Sequence, residues 1–203
     1  MTDSCHDAAC AKSISGLQAL TLAWMIAECA VSLWSAARAH SPALLAFGAD
    51  SLVELFSAAV VLLQFVPLFA LRPVRAARLA GVLLYVLAVV VTGVAVMALV
   101  TQRHAETSLP GMAITLAALL VMPLLAWQKR RVARKSGNVA LAADAVQSAT
   151  CAYLAAVTLA GLAVNAVWHV GWVDSAAALV AVPLILLEAR RAMRGESCGC
   201  GVC

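Results

Sequence analysis

Six long apolar runs divide the chain: Leu17–Ala37, Pro42–Leu71, Ala76–Thr101, Leu109–Trp127, Val139–Val164 and Val170–Leu187. Each is long enough to cross a hydrocarbon core about 30 Å thick, which takes about 20 residues as a helix. Polar residues interrupt these runs at helical spacing. In the second, "AFGADSLVELFSAA" puts Asp50 and Glu54 four residues apart, on one face of a helix. In the fifth, "AADAVQSATCAYLAA" puts Asp144, Gln147 or Ser148, and Cys151 along another single face. The pattern predicts an all-α integral membrane protein, a six-helix bundle. Pro67, Pro123 and Pro183 lie inside spans and are expected to kink or break them.

Composition agrees with that reading. Of 203 residues, 64% are hydrophobic and 12% charged, and the mean hydropathy is +0.96. A soluble domain of this size does not look like this. Met1–Ser15 is polar and carries no cleavage site after a short apolar core, so it does not read as a cleavable signal. The expected organisation is a cytoplasmic tail over 1–15, one transmembrane domain over 16–191 and a second cytoplasmic tail over 192–203.

Charge adds an orientation. Lys12, Arg72, Arg75, Arg78, Lys129, Arg130, Arg131, Arg134, Lys135, Arg190, Arg191 and Arg194 fall at one side of the spans. Only Arg38 and Arg103 fall at the other. By the positive-inside rule both termini are cytoplasmic, and the net charge of +4 follows from topology. It implies no nucleic-acid partner. In a bacterium the membrane would be the inner, cytoplasmic one.

Carboxylates inside spans are the candidate chemistry. Glu28, Asp50, Glu54 and Asp144 would each cost about 2.5–3.5 kcal/mol at mid-bilayer on insertion scales. No Lys or Arg lies deep in any of the six spans as drawn, so no internal countercharge is expected. Asp50, Glu54, Asp144, Gln147 or Ser148, and Cys151 form a ligand set for a dehydrated divalent cation, which would itself be the countercharge. Carboxylate and thiolate together suit Zn²⁺ or Cd²⁺, whereas an all-oxygen subset accepts harder ions. A lone buried cysteine more often only packs, which is the reading for Cys29. Glu28 reads as a structural acid. Asp174 and Glu188 stand near the ends of the sixth span, where headgroup water is at hand, and Asp174 reads as the cap of that helix. His40, His104 and His169 sit at the outer ends of spans as interfacial residues. No nucleophile–base pair, phosphate loop or redox ligand set is present, so the chain does not read as an enzyme and implies no prosthetic group.

The stretch Ala27–Ala58, with "HSPALLAFGADSLVE" leading into the second span, and "GWVDSAAALVAVPLILLEARR" in the sixth resemble the cation diffusion facilitator family. The resemblance covers roughly Leu17 to Arg194. It implies a six-helix secondary transporter that exports Zn²⁺ or similar divalent ions from the cytoplasm in exchange for protons, as a homodimer. The family's acid pair falls on Asp50 and Glu54, the latter longer than the usual Asp. The family's fifth-span His-x-x-x-Asp falls on Gln147 and Cys151, and neither matches. Asp144 matches a frequent family aspartate. The implied ligand set is Asp50, Glu54 and Cys151, with Gln147 or Asp144 as the fourth. The missing His and the added thiol shift the expectation toward softer metals. The family's usual cytoplasmic domain after the sixth span is not expected here.

In its place stands "GESCGCGVC", with Cys198, Cys200 and Cys203, and the other tail holds "SCHDAAC", with Cys5, His6 and Cys10. Cytoplasmic thiols stay reduced, so these residues read as soft-metal capture sites. Two alternatives carry other expectations. A thiol-relay importer of an ion such as Hg²⁺ would want paired cysteines within a span, and only Cys29 and Cys151 occur there singly. A metal-sensing membrane protein would bind the ion without moving it.

Overall fold

The computed structural model describes the backbone of residues 3–63, 73–102, 105–137 and 139–194. Side chains at 3–15, 57, 58, 60–63, 73–77, 139, 140 and 143 lie outside that description. Six helices account for almost all of it: α1 Asp3–Ala39, α2 Pro42–Leu63, α3 Pro73–Val100, α4 Leu109–Ser136, α5 Val139–Trp168 and α6 Trp172–Arg194. In a bilayer every backbone N–H and C=O needs an internal partner, and a helix supplies it within one segment. Five stretches are long and apolar enough to cross a membrane among the described residues: Gly16–Ala39, Arg78–Val100, Leu109–Ser136, Asp144–Trp168 and Trp172–Arg194. The chain is an integral, multi-pass membrane protein.

Local chemistry sets the helix ends. α4 starts on Ser108, whose side chain accepts the Gly111 N–H at 3.1 Å, and has a proline in its first turn. It ends on Gly137 at φ 63° and ψ 16°, a left-handed cap that glycine adopts without strain. Between Trp127 and Gly137 nothing breaks a helix, so α4 continues nine residues past the span's expected end. α1 likewise runs back to Asp3, through the segment expected as a tail. α4 and α6 continue through Pro123 and Pro183 rather than breaking there. Pro67 lies outside the described residues.

The outer connections are short. His40 and His169 turn the chain after α1 and α5 with φ of 50° and 54°. The α3–α4 connection is tied down by Glu106 N–H to Ala39 C=O at 2.9 Å and Asn165 Nδ2 to Ala105 C=O at 2.8 Å.

Pairing is most extensive between α1 and α2, α3 and α6, and α4 and α5. α2 also packs on α3, α5 and α6, which makes it the central helix. Small residues permit this closeness. A Cβ on Gly48 would lie 2.5 Å from Ser32 Oγ across the α1–α2 contact, and one on Gly161 would lie 2.7 Å from Ala177 Cβ on α6. The interior is filled by Met25, Phe47, Leu84, Met122, Leu154 and Ile185. The outward face is apolar as well: Val89, Val100 and Leu120 expose well over half their surface, as a lipid-facing shell requires. Exposed Trp34 and Trp127 carry Arg38 and Arg131 over their rings at 5.8 and 5.5 Å, an arrangement suited to the membrane–water interface.

Candidate cation site

α2 brings Asp50 and Glu54 into the bundle interior, and both are fully buried. α5 presents Asp144, Ser148 and Cys151, also fully buried, as one inward stripe. Of the two candidates left open at the middle of that stripe, Ser148 points inward and Gln147 is only half-buried.

Lys129 reorganises the expected site. By charge alone Lys129 belongs to a cytoplasmic basic loop, which leaves no countercharge inside the bundle. Instead Lys129 has no exposed surface. Its Nζ lies 2.9 Å from Asp144 Oδ2 and 3.6 Å from Glu54 Oε1, and donates to Ser148 Oγ at 2.7 Å. The Ser148 hydroxyl in turn donates to Glu54 Oε1. Gln18 Nε2 on α1 donates to Asp144 Oδ2 at 2.8 Å. The cause is helical register. The buried stripe of α4 reads Gly111, Thr115, Ala118, Met122, Leu125, Ala126, Lys129, Ala133, and Lys129 continues it without a break.

A second polar group lies beside the first. Glu28 on α1 accepts Ser51 Oγ at 2.7 Å and Trp24 Nε1 at 2.6 Å, and the Cys151 thiol at 3.5 Å. Three helices thus meet at one carboxylate, a helix-packing role of the kind expected for Glu28. Asp50 has both carboxylate oxygens buried and without a hydrogen-bond partner. It stands in the electrostatic field of Glu188, Glu54 and Glu28. Glu188 was expected near headgroup water; it is buried, on the α6 stripe that also carries Asp174, Ala178, Ala181 and Ile185. Among the described residues, no three His, Cys, Asp or Glu side chains form a ready metal-binding group. Glu54 and Asp144 are drawn to Lys129, and Cys151 to Glu28.

Asp174 departs from its expected role. Its Oδ1 accepts Ser41 Oγ at 2.7 Å and its Oδ2 accepts the Ala43 N–H at 3.1 Å. It therefore caps the start of α2, with Ser41 Oγ taking the Leu44 N–H at 3.1 Å. The tail residues Cys5, His6, Cys10, Cys198, Cys200 and Cys203 and the interfacial His104 lie outside the described side chains. Cys29 and Cys151 are free thiols.

The ionic balance of this interior is the decisive feature. Glu28, Asp50, Glu54, Asp144 and Glu188 are buried against a single buried base, Lys129, among the described residues. Carboxylates in low dielectric have to be balanced by protons or by a cation. The cation efflux transmembrane domain matches residues 74–195. The chain belongs to the cation efflux, or cation diffusion facilitator, family. The matched range covers α3 to α6 and includes Lys129, Asp144, Ser148, Cys151 and Glu188; Asp50 and Glu54 precede it. No curated protein matches the chain. Members of the cation efflux family are metal-cation transporters rather than classical enzymes, and the all-helical bundle described above agrees with a transmembrane domain of that family.

Three further inward residues lie beside the candidate ligands without a sequence signal that marks them. Lys129 was assigned by charge rather than by its place on the α4 stripe. Glu188 continues the stripe of α6 in the same way. Gln18, one residue inside the first span, has no local signal beyond its helical face.

Proposed function

We propose that this protein exports a divalent cation of borderline-to-soft character, Zn²⁺ or Cd²⁺, from the cytoplasm in exchange for protons. Asp50 carries the reading: a fully buried carboxylate with two unpartnered oxygens, one helical turn from Glu54 and across from the α5 stripe. Such a group is stabilised by a cation that arrives from outside the chain. Glu54, Asp144 and Cys151 supply further ligands once they are released from their present partners, and the thiol favours the softer ions. Gln147, half-buried, is a weaker candidate than Ser148 for the remaining position. The cycle couples to protons because the same carboxylates need either a proton or a cation in each state.

Flux in proteoliposomes with an imposed pH gradient and a panel of cations tests this. Asp50→Asn, which keeps the shape and removes the charge, should lower Zn²⁺ and Cd²⁺ flux at least about a hundredfold at normal expression. Wild-type flux in the variant would refute the assignment.

A further inference from the structure

Lys129 is not where a topogenic lysine belongs. Its side chain has no exposed surface, while its neighbours Arg130, Arg131, Arg134 and Lys135 are all exposed. Its ammonium donates to Ser148 Oγ at 2.7 Å, lies 2.9 Å from Asp144 Oδ2, and stands at the longer, purely electrostatic distance of 3.6 Å from Glu54 Oε1. Two of these three belong to the carboxylates placed in the cargo site above. A divalent cation held by these carboxylates takes the space between them at closer range, and a positive group of ammonium size cannot occupy that space with it.

The remaining oxygens make the arrangement more than an ion pair. Glu54 Oε2 and Asp144 Oδ1 are buried with no hydrogen-bond partner, and so are both oxygens of Asp50. One lysine therefore holds one oxygen from each of two acids and leaves the others unused. The lysine stem is long and flexible, and the end of α4 beyond it is the arginine-rich, exposed end.

We propose that Lys129 is a tethered cation that holds the Glu54–Asp144 half of the transport site when cargo is absent, and that cargo binds by displacing it. This rests on the transport reading above and assigns a role to a residue outside that ligand set. The tethered charge keeps two buried acids balanced in the empty bundle. It also sets a threshold: a doubly charged ion outcompetes the single ammonium, and a singly charged one does so poorly. When cargo leaves, the lysine returns and opposes rebinding.

The test uses the full chain purified in detergent, with Zn²⁺ and Cd²⁺ binding measured by calorimetry. Lys129→Met and Lys129→Gln should each bind about tenfold tighter or better, since a competing charge about one ligand distance away is gone. The control Arg131→Gln removes an exposed charge from the same helix and should bind as wild type. A folded Lys129 variant with unchanged or weaker binding overturns the proposal. Should both variants fail to insert, the wild type still decides it: amine-reactive labelling read by mass spectrometry, with Lys135 as internal reference. Saturating Cd²⁺ should raise Lys129 labelling about fivefold as the ammonium leaves its buried place, and an unchanged ratio overturns the displacement. Wild-type protein that neither binds nor transports Zn²⁺ or Cd²⁺ refutes the transport reading together with this one. Wild-type transport with no gain in affinity for the neutral variants refutes only the lysine's role.

Discussion

Lys129 Nζ lies 2.9 Å from Asp144 Oδ2, and neither side chain exposes any surface. The contact joins α4 to α5, and the 3.6 Å approach to Glu54 adds α2. Removing Lys129 leaves Asp144 with no basic partner among the described residues, and removing Asp144 leaves Lys129 facing Glu54 alone; breaking a buried pair costs about 3–5 kcal/mol in proteins. Replacing both with apolar groups removes the pair and its desolvation together. The bundle is thus held at this point by a mutual dependence and not by an independent gain from each residue.

That dependence is measurable. The double variant Lys129→Met/Asp144→Leu should be destabilised by less than the sum of the two single variants. A coupling of about 1–3 kcal/mol in unfolding of the purified protein in detergent is the expected size. Strict additivity would mean that the contact contributes nothing to holding α4 against α5.

How much of this was legible beforehand follows from the kind of signal each residue carries. The six helices were readable because bilayer thickness imposes a minimum apolar run, and α3 to α6 start within a few residues of the expected positions. The Asp144–Ser148–Cys151 face was readable because its spacing is local and helical. Lys129 was misplaced because composition outweighed register: five basic residues in a short stretch looked like one loop, although Lys129 lies seven residues after Met122 on the inward stripe. Glu188 reads as interfacial because it stands at the end of the expected sixth span, although its register puts it on the buried stripe of α6. Asp174 could not have been read locally at all, since the backbone it caps lies 131 residues earlier.

Asp174 offers a stability prediction independent of transport. It takes the Ala43 N–H and the Ser41 hydroxyl at the start of α2, where no backbone carbonyl is available to them. Asp174→Ala should cost about 1–2 kcal/mol, the range for loss of a capping side chain. The loss should appear as a lower thermal unfolding midpoint, with cation selectivity unaltered because Asp174, in the first turn of α6, bonds to Ser41 and Ala43 and to none of the candidate ligands. A variant that melts with the wild type would show that Ser41 alone suffices as the cap.

Cys198, Cys200 and Cys203 stand beyond Arg194 on a glycine-rich sequence. Three thiols so spaced are suited to holding a soft ion at low free concentration and passing it on by ligand exchange. Truncation after Arg194 should then raise the half-saturating Cd²⁺ concentration and leave the maximal flux intact. A fall in maximal flux, in protein that inserts normally, would place the tail in the translocation step instead.

The sharpest test of cargo chemistry is Cys151. It is fully buried, its thiol donates to Glu28 Oε1 at 3.5 Å, and it lies on the same stripe as Asp144 and Ser148. A buried thiol in that position either packs or ligates, and substitution by serine separates the two. Serine keeps the shape closely and can donate to Glu28 as the thiol does, so a packing role survives Cys151→Ser almost unchanged. A ligand role does not survive it for soft ions, because a hydroxyl is a far poorer partner for Cd²⁺ than a thiolate, while Mn²⁺ is nearly indifferent to the exchange. The variant should therefore lose about tenfold or more in Cd²⁺ affinity relative to Mn²⁺, with unfolding shifted by less than about 1.5 kcal/mol. Retention of the wild-type Cd²⁺-to-Mn²⁺ ratio would leave the carboxylates as the sole source of selectivity and turn the expected cargo toward harder cations.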